Sequence, residues 1–157
     1  RMHYYTHLRK ESVGLSGQDF YNDGMVEHDQ HVGRLLKKLD ELGVTKNTIV
    51  IYTTDNGVHF NQWPDGGITP FRGEKNTNWE GGFRVPMVMR WPAQIKGGKV
   101  SNEMMSLLDF VPTLAAAAGE PQIKQKLLAG HEAAGKKFNV HLDGQNFLPY
   151  LTGVEKK

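Results

Sequence analysis

An α/β fold is predicted by three features of the 157-residue chain. A helix-period segment closed by glycine runs into a β-branched strand, and that strand opens onto a long loop rich in Gly, Asn, Asp and Pro. A second apolar strand segment and a second helix follow. In the first segment, 23–42, Met25, Val32, Leu35, Leu36, Leu39 and Leu42 recur at three-and-four spacing and mark one helical face, while Glu27, His28, Arg34, Lys37 and Lys38 mark the other. Gly43 accepts the left-handed conformation that stops a helix, and Lys37 and Lys38 suit the negative end of its dipole. After the turn Thr45-Lys46-Asn47, residues 48–53 carry β-branched and aromatic side chains on both faces, as a strand covered from both sides would.

Residues 55–82 show no periodicity, and long structureless loops in compact domains are usually functional or disordered, so chemistry is sought there. The stretch 83–91 reads as a second strand, in which Pro86 must sit at an edge, a strand start or a bulge. Asp109 is the expected N-cap of a short, largely buried helix through Phe110, Val111, Pro112 and an alanine run, with Gly119 as its stop. Residues 121–139 read as an exposed insertion in which 123–128 makes a helical turn or two, and 147–151 as a small C-terminal element after Asp143-Gly144. At the start of the chain, His3 and His7 alternate along a possible strand.

Composition excludes several classes. With 19 Lys+Arg against 17 Asp+Glu the formal charge is +2, which leaves no large basic excess for a phosphate backbone, so no nucleic-acid partner is expected. A composition of 38% hydrophobic and 23% charged residues is that of a globular protein. No stretch approaches the roughly 18 apolar residues of a membrane span, and no membrane partner is expected. The absence of cysteine removes disulfides, thiolate metal sites and cysteine nucleophiles together. No Gly-x-Ser-x-Gly elbow, phosphate-binding P-loop or dinucleotide fingerprint occurs.

Asp55-Asn56-Gly57 follows the apolar strand directly, where α/β folds place their ligands. A carboxylate beside an amide oxygen offers two hard donors suited to Ca²⁺ or Mg²⁺, although Asn-Gly is equally a common turn dipeptide. Lys75 and Arg72, in the glycine-bearing run 70–82, could present positive charge to an oxyanion or be solvated cations paired with Glu74 and Glu80. Glu27, His28, Asp29 and His31 could share a metal, but no third ligand at helical spacing accompanies the histidines and the segment reads as the first turn of an amphipathic helix. His59, Phe60 and Trp63 could line a substrate pocket or simply pack.

Taken together, residues 48–57, Pro70-Phe71-Arg72-Gly73-Glu74-Lys75, Trp79-Glu80-Gly81-Gly82-Phe83-Arg84-Val85-Pro86, the flanking helices and Leu142-Asp143-Gly144 resemble the formylglycine-dependent sulfatases of the alkaline phosphatase superfamily, in order and over nearly the whole chain. The resemblance implies the C-terminal part of the sulfatase catalytic α/β domain over 1–100 and a small α+β C-terminal region over 101–157. It implies that Asp55 and Asn56 are calcium ligands and that Lys75 and His7 contact the sulfate group, with Arg72 a further substrate-binding candidate. Ca²⁺ and cations would neutralise the oxyanion while a nucleophile attacks sulfur.

The family's nucleophile is a formylglycine matured from a Cys-x-Pro-x-Arg or Ser-x-Pro-x-Arg motif, and neither version occurs in these residues, nor do the two N-terminal aspartates that complete the calcium site. The opening residues also lack the apolar core of a signal peptide. The expectation is therefore a fragment carrying half of a sulfatase active site, with no ester hydrolysis by itself and only weak calcium binding. The parent would hydrolyse a sulfate ester and, by resemblance, be periplasmic or secreted. The other reading is a non-catalytic calcium- and anion-binding module. Strand edges left uncovered predict self-association.

Overall fold

The computed structural model describes residues 6–66 and 68–154, so His3 lies outside the described residues. The chain packs as two compact units, Arg1–Ala93 and Gln94–Lys157. Their elements give the mixed helix-and-sheet architecture expected of part of an α/β sulfatase domain.

In the first unit the long helix α1 spans Phe20–Glu41, three residues earlier than its apolar spacing indicates. Asp19 starts it: the carboxylate accepts from the Asn22 amide at 2.8 Å and so satisfies one of the orphan N–H groups of the first turn. Residues 27–31 therefore lie in the body of the helix and not in its first turn. Gly43, at φ +69°, closes it as expected. The predicted faces do not hold throughout. Asp23 and Glu27 are buried, whereas Leu35 and Leu42 are 53% and 60% exposed. The two acids go inside because they accept hydrogen bonds from the backbone of the preceding segment.

Strand β1, Val50–Thr53, pairs antiparallel with β2, Met87–Arg90, in the register Val50 to Arg90 through Thr53 to Met87. Both strands are shorter than their apolar runs. Phe83, the first residue of the expected strand, instead closes one helical turn, α2, Glu80–Phe83, wound from the end of the loop. Pro86 stands just before β2, where no ladder N–H is needed, and its carbonyl accepts from Thr53 Oγ1 at 2.9 Å. The expectation that β1 is covered on both faces is not met, since Tyr52 is 42% exposed. Its hydroxyl lies 3.1 Å from His28 Nε2, which ties β1 to α1.

The second unit is built around α3, Phe110–Ala117, which follows a tight turn at Leu107–Asp109. Asp109 occupies the N-cap position of α3 as expected, although its side chain makes no cap bond there, and Ser106 caps the preceding turn. Its hydroxyl accepts from the Leu108 amide, while Asp109 reaches back to the Ser106 amide at 2.7 Å and forward to the Gln145 amide at 2.6 Å. Thr113, 2% exposed, accepts from the Phe147 amide at 2.9 Å, and Pro112, Ala116 and Phe147 complete the buried centre. The region expected as an exposed insertion folds into α4, Ile123–Ala129, and a hairpin of β3, His131–Ala133, with β4, Lys136–Phe138. Helix α5, Leu148–Thr152, closes the unit with Gly153 in the left-handed conformation. None of the described helices is long and apolar enough to cross a membrane.

Candidate active site

The loop after β1 carries the candidate residues, and three glycines determine its shape. The Gly57 amide donates to the Gly82 carbonyl at 2.9 Å, and the Gly81 amide to the Arg72 carbonyl at 2.8 Å. A side chain on Gly57 would fall on the Gly81 carbonyl, and one on Gly81 on the carbonyls of residues 71–73. Only glycine permits the two backbone runs to approach so closely. The glycine pair at the start of α2 therefore draws residues 72–82 back against the Asp55-Asn56-Gly57 turn.

That approach fixes Lys75. Its amide donates to the Val58 carbonyl at 2.7 Å, two residues beyond Asn56. The neighbouring Glu74 accepts from the Phe60 amide at 2.8 Å through its carboxylate, and Thr77 Oγ1 donates to the Glu74 carbonyl at 2.7 Å. The lysine side chain is half-buried, Asp55 is exposed and Asn56 half-buried. Asn56 Nδ2 donates to the Gly57 carbonyl at 2.9 Å, which commits the nitrogen to its own turn and reserves the amide oxygen as an acceptor. Asp55 and Asn56 thus fit a hard cation by donor type, as two of the six to eight oxygens that Ca²⁺ takes. Among the described residues no group of three or more His, Cys, Asp or Glu stands together, so the two donors would need partners.

Arg72 is held differently. Its guanidinium stacks over the Trp79 ring at 3.6 Å, while Arg84 stacks over Phe71 at 4.3 Å and pairs with Glu80 at 2.5 Å. These contacts brace the outer side of the loop. Phe60 and Trp63 are 58% and 67% exposed, and the His59 ring accepts from the Asn61 amide at 3.2 Å.

Asp55, Asn56 and Lys75 are therefore brought into adjacent backbone runs. His7 is exposed and lies before the Lys10–Ser12 turn, and no hydrogen bond or ion pair among the described residues joins it to the other three. Sequence reasoning missed Asp23, and it placed Glu27 on the polar face of α1 and in a possible metal group with His28, Asp29 and His31, whereas both acids are buried. Their spacing of four after the glycine- and serine-bearing stretch 14–17 was the available signal, a weak one because acids at that spacing mostly face water. A cleft of about 270 Å³, lined among others by Arg9, Ser12, Glu27, His31 and Arg34, opens beside Glu27.

Comparison with known proteins gives a consistent picture. A family model described as Sulfatase matches residues 16–120. The chain is 38% identical to a mouse (Mus musculus) steryl-sulfatase over 147 residues, covering 90% of the chain and 21% of that protein. It is 37% identical to a rat (Rattus norvegicus) N-acetylgalactosamine-6-sulfatase over 123 residues, covering 77% of the chain and 24% of that protein. Among solved structures, the PsFucS1 sulfatase from Pseudoalteromonas sp. superposes with a TM-score of 0.78 at 32% identity, over 96% of this chain and 28% of that one. The chain spans about a quarter of the length of these relatives.

Proposed function

Because the chain belongs to the sulfatase family, we propose that it supplies part of an active site for sulfate-ester hydrolysis, in which Asp55 and Asn56 ligate calcium and Lys75 and His7 contact the sulfate oxygens. The observation that carries this reading is the glycine-locked loop, which sets the Lys75 backbone beside the Asp55-Asn56-Gly57 turn. Hard oxygen donors and a cation on adjacent runs are the parts needed to hold a sulfate group and to offset the charge that builds on its oxygens.

Calcium, when bound, supplies positive charge at the oxyanion. The chain's own contributions are distinct. The Asp55 carboxylate and Asn56 amide oxygen hold the cation. Lys75 presents three N–H donors to a tetrahedral anion, and the hydrogen bond from its amide to Val58 fixes the backbone from which the side chain projects. His7 donates a second hydrogen bond to the sulfate group. The nucleophile is not among these 157 residues, which contain neither cysteine nor a Ser-x-Pro-x-Arg motif. The reading therefore assigns it to a formylglycine supplied by the rest of a sulfatase, and this chain alone is expected to turn over no ester. The relatives act on a sterol and on a sugar, as their names state, so the proposal stops at the sulfate ester as a class.

A chimera tests it, with residues 6–154 replacing the matching segment of a relative that carries the nucleophile motif. Aryl sulfate turnover is expected, with kcat/KM falling about 10²- to 10³-fold in Lys75→Ala. Turnover that survives both Lys75→Ala and Asp55→Ala unchanged would refute the assignment. A folded chimera that binds calcium and sulfate but turns over nothing would favour the non-catalytic module.

A further inference from the structure

We infer that Glu27 is a positioning residue for His7, a carboxylate in the body of α1 that fixes the backbone leading away from the histidine. The inference rests on the proposed role of His7 and adds the group that holds it. Glu27 is 3% exposed on a helix that faces water at Met25, Asp29 and Gln30. A carboxylate taken out of water has to be hydrogen-bonded. Its Oε2 accepts from the Arg9 amide at 3.1 Å, and its Oε1 lies 3.9 Å from His31 Nε2, one turn further along the helix.

One turn earlier, Asp23 is 4% exposed and accepts from the Gly14 amide at 2.6 Å, the Ser16 amide at 2.8 Å and the Ser16 hydroxyl at 2.6 Å. Two acids at a spacing of four thus hold both ends of the 9–16 segment on one helix. Tight apolar packing does not do this work, because the cleft of about 270 Å³ opens along the same line and Val13 and Leu15 are 59% and 48% exposed. Arg9 is two residues from His7, a backbone reach of at most about 7 Å. Thr6 stands in a strand bridge before the exposed His7, the Glu27 bond is the first side-chain anchor after it, and Asp23 holds the far end of the segment.

The chemistry separates anchor from charge. A glutamine keeps an oxygen that can accept from Arg9, an aspartate keeps the charge but is one methylene too short, and an alanine loses both. Amide exchange of the full chain, and histidine ring resonances of the same segment within the chimera with and without inorganic sulfate, are measured in wild type, Glu27→Gln, Glu27→Asp and Glu27→Ala. The Arg9 amide is expected to be protected in wild type and Glu27→Gln and to exchange at least about tenfold faster in Glu27→Asp and Glu27→Ala. The sulfate response of the His7 ring should follow the same order, rescued by glutamine and not by aspartate. Arg9 protection or His7 ring shifts that are the same in Glu27→Asp as in wild type would overturn the inference, and Glu27→Asp keeps this readable where Glu27→Ala does not fold. A series in Arg9 protection with no sulfate response at His7 in any variant would support the anchor while refuting the role proposed for His7.

Discussion

At the scale of single residues, glycines decide whether the site forms. Gly57 and Gly33 make a matched pair, since a methyl group on Gly57 meets the Gly81 carbonyl while one on Gly33, within α1, meets nothing within 4 Å. Gly57→Ala is expected to destabilise the chain by about 1–3 kcal/mol through forced separation of the two backbone runs. Gly33→Ala should instead stabilise it by about 0.5–1 kcal/mol, because alanine gives up less conformational entropy in a helix than glycine. Urea unfolding of the two variants checks both signs, and equal effects would show that the close approach at Gly57 has no energetic weight. Asp55, Asn56 and Lys75 stand out as candidates in the sequence because residue type, strand position and family resemblance coincide there. The way Lys75 is held was not legible, because it is held by its own amide on the Val58 carbonyl and backbone bonds leave no mark on side-chain pattern. The stacking of Arg72 on Trp79 was equally hidden, since seven positions separate them in an aperiodic loop.

At the scale of elements, α1 carries the pH dependence. Hydrogen bonds from the Ser16 hydroxyl, the Ser16 amide and the Gly14 amide hold the Asp23 carboxyl below the usual carboxylate range. The folded value is lower than the unfolded one, so this stabilisation is fully present above the ordinary aspartate value of about 3.9 and is lost as the pH falls through the lower folded value. Glu120 is shifted in the same direction by Lys126, but both side chains are nearly half exposed, and solvent screening leaves that pair little weight. Unfolding free energy measured from pH 7 to pH 3 should therefore drop below about pH 4, and Asp23→Asn should flatten that drop. An unaltered acid profile in Asp23→Asn would assign the loss to other groups. The helix itself was easy to read, since six apolar residues recur at its period. Its inward acids were not, because burial there comes from hydrogen bonds to a segment that has no periodicity of its own.

At the scale of the whole molecule, each unit leaves apolar surface in water. In the first, Tyr52 and Val88 on the two-stranded sheet are 42% and 64% exposed; in the second, Leu107, Leu108 and Val111 around the start of α3 are 50%, 63% and 53% exposed. Two-stranded sheets are marginal by themselves and present free edges. Sedimentation velocity should accordingly show self-association that grows with concentration, whereas a single monomeric species at every concentration would contradict it. The order of α1, β1, β2 and α3 was legible because a glycine follows each of these two helices and β1 is a β-branched run, whereas α2 and the hairpin of β3 and β4 carry no such marks. Strand partners were not, since β1 and β2 are joined across more than thirty residues of loop and only the register bonds reveal the pairing. The central claim is that Asp55, Asn56 and Lys75 form one calcium- and sulfate-holding site, and a resonance-by-resonance shift map of residues 6–154, labelled within the chimera that supplies the missing ligands, with calcium added first and sulfate second, tests it most directly. Calcium should move residues 55–57 and sulfate should then move Lys75 and its loop neighbours; shifts gathered instead on the basic hairpin at Lys136 and Lys137, or none in residues 55–82, would contradict it.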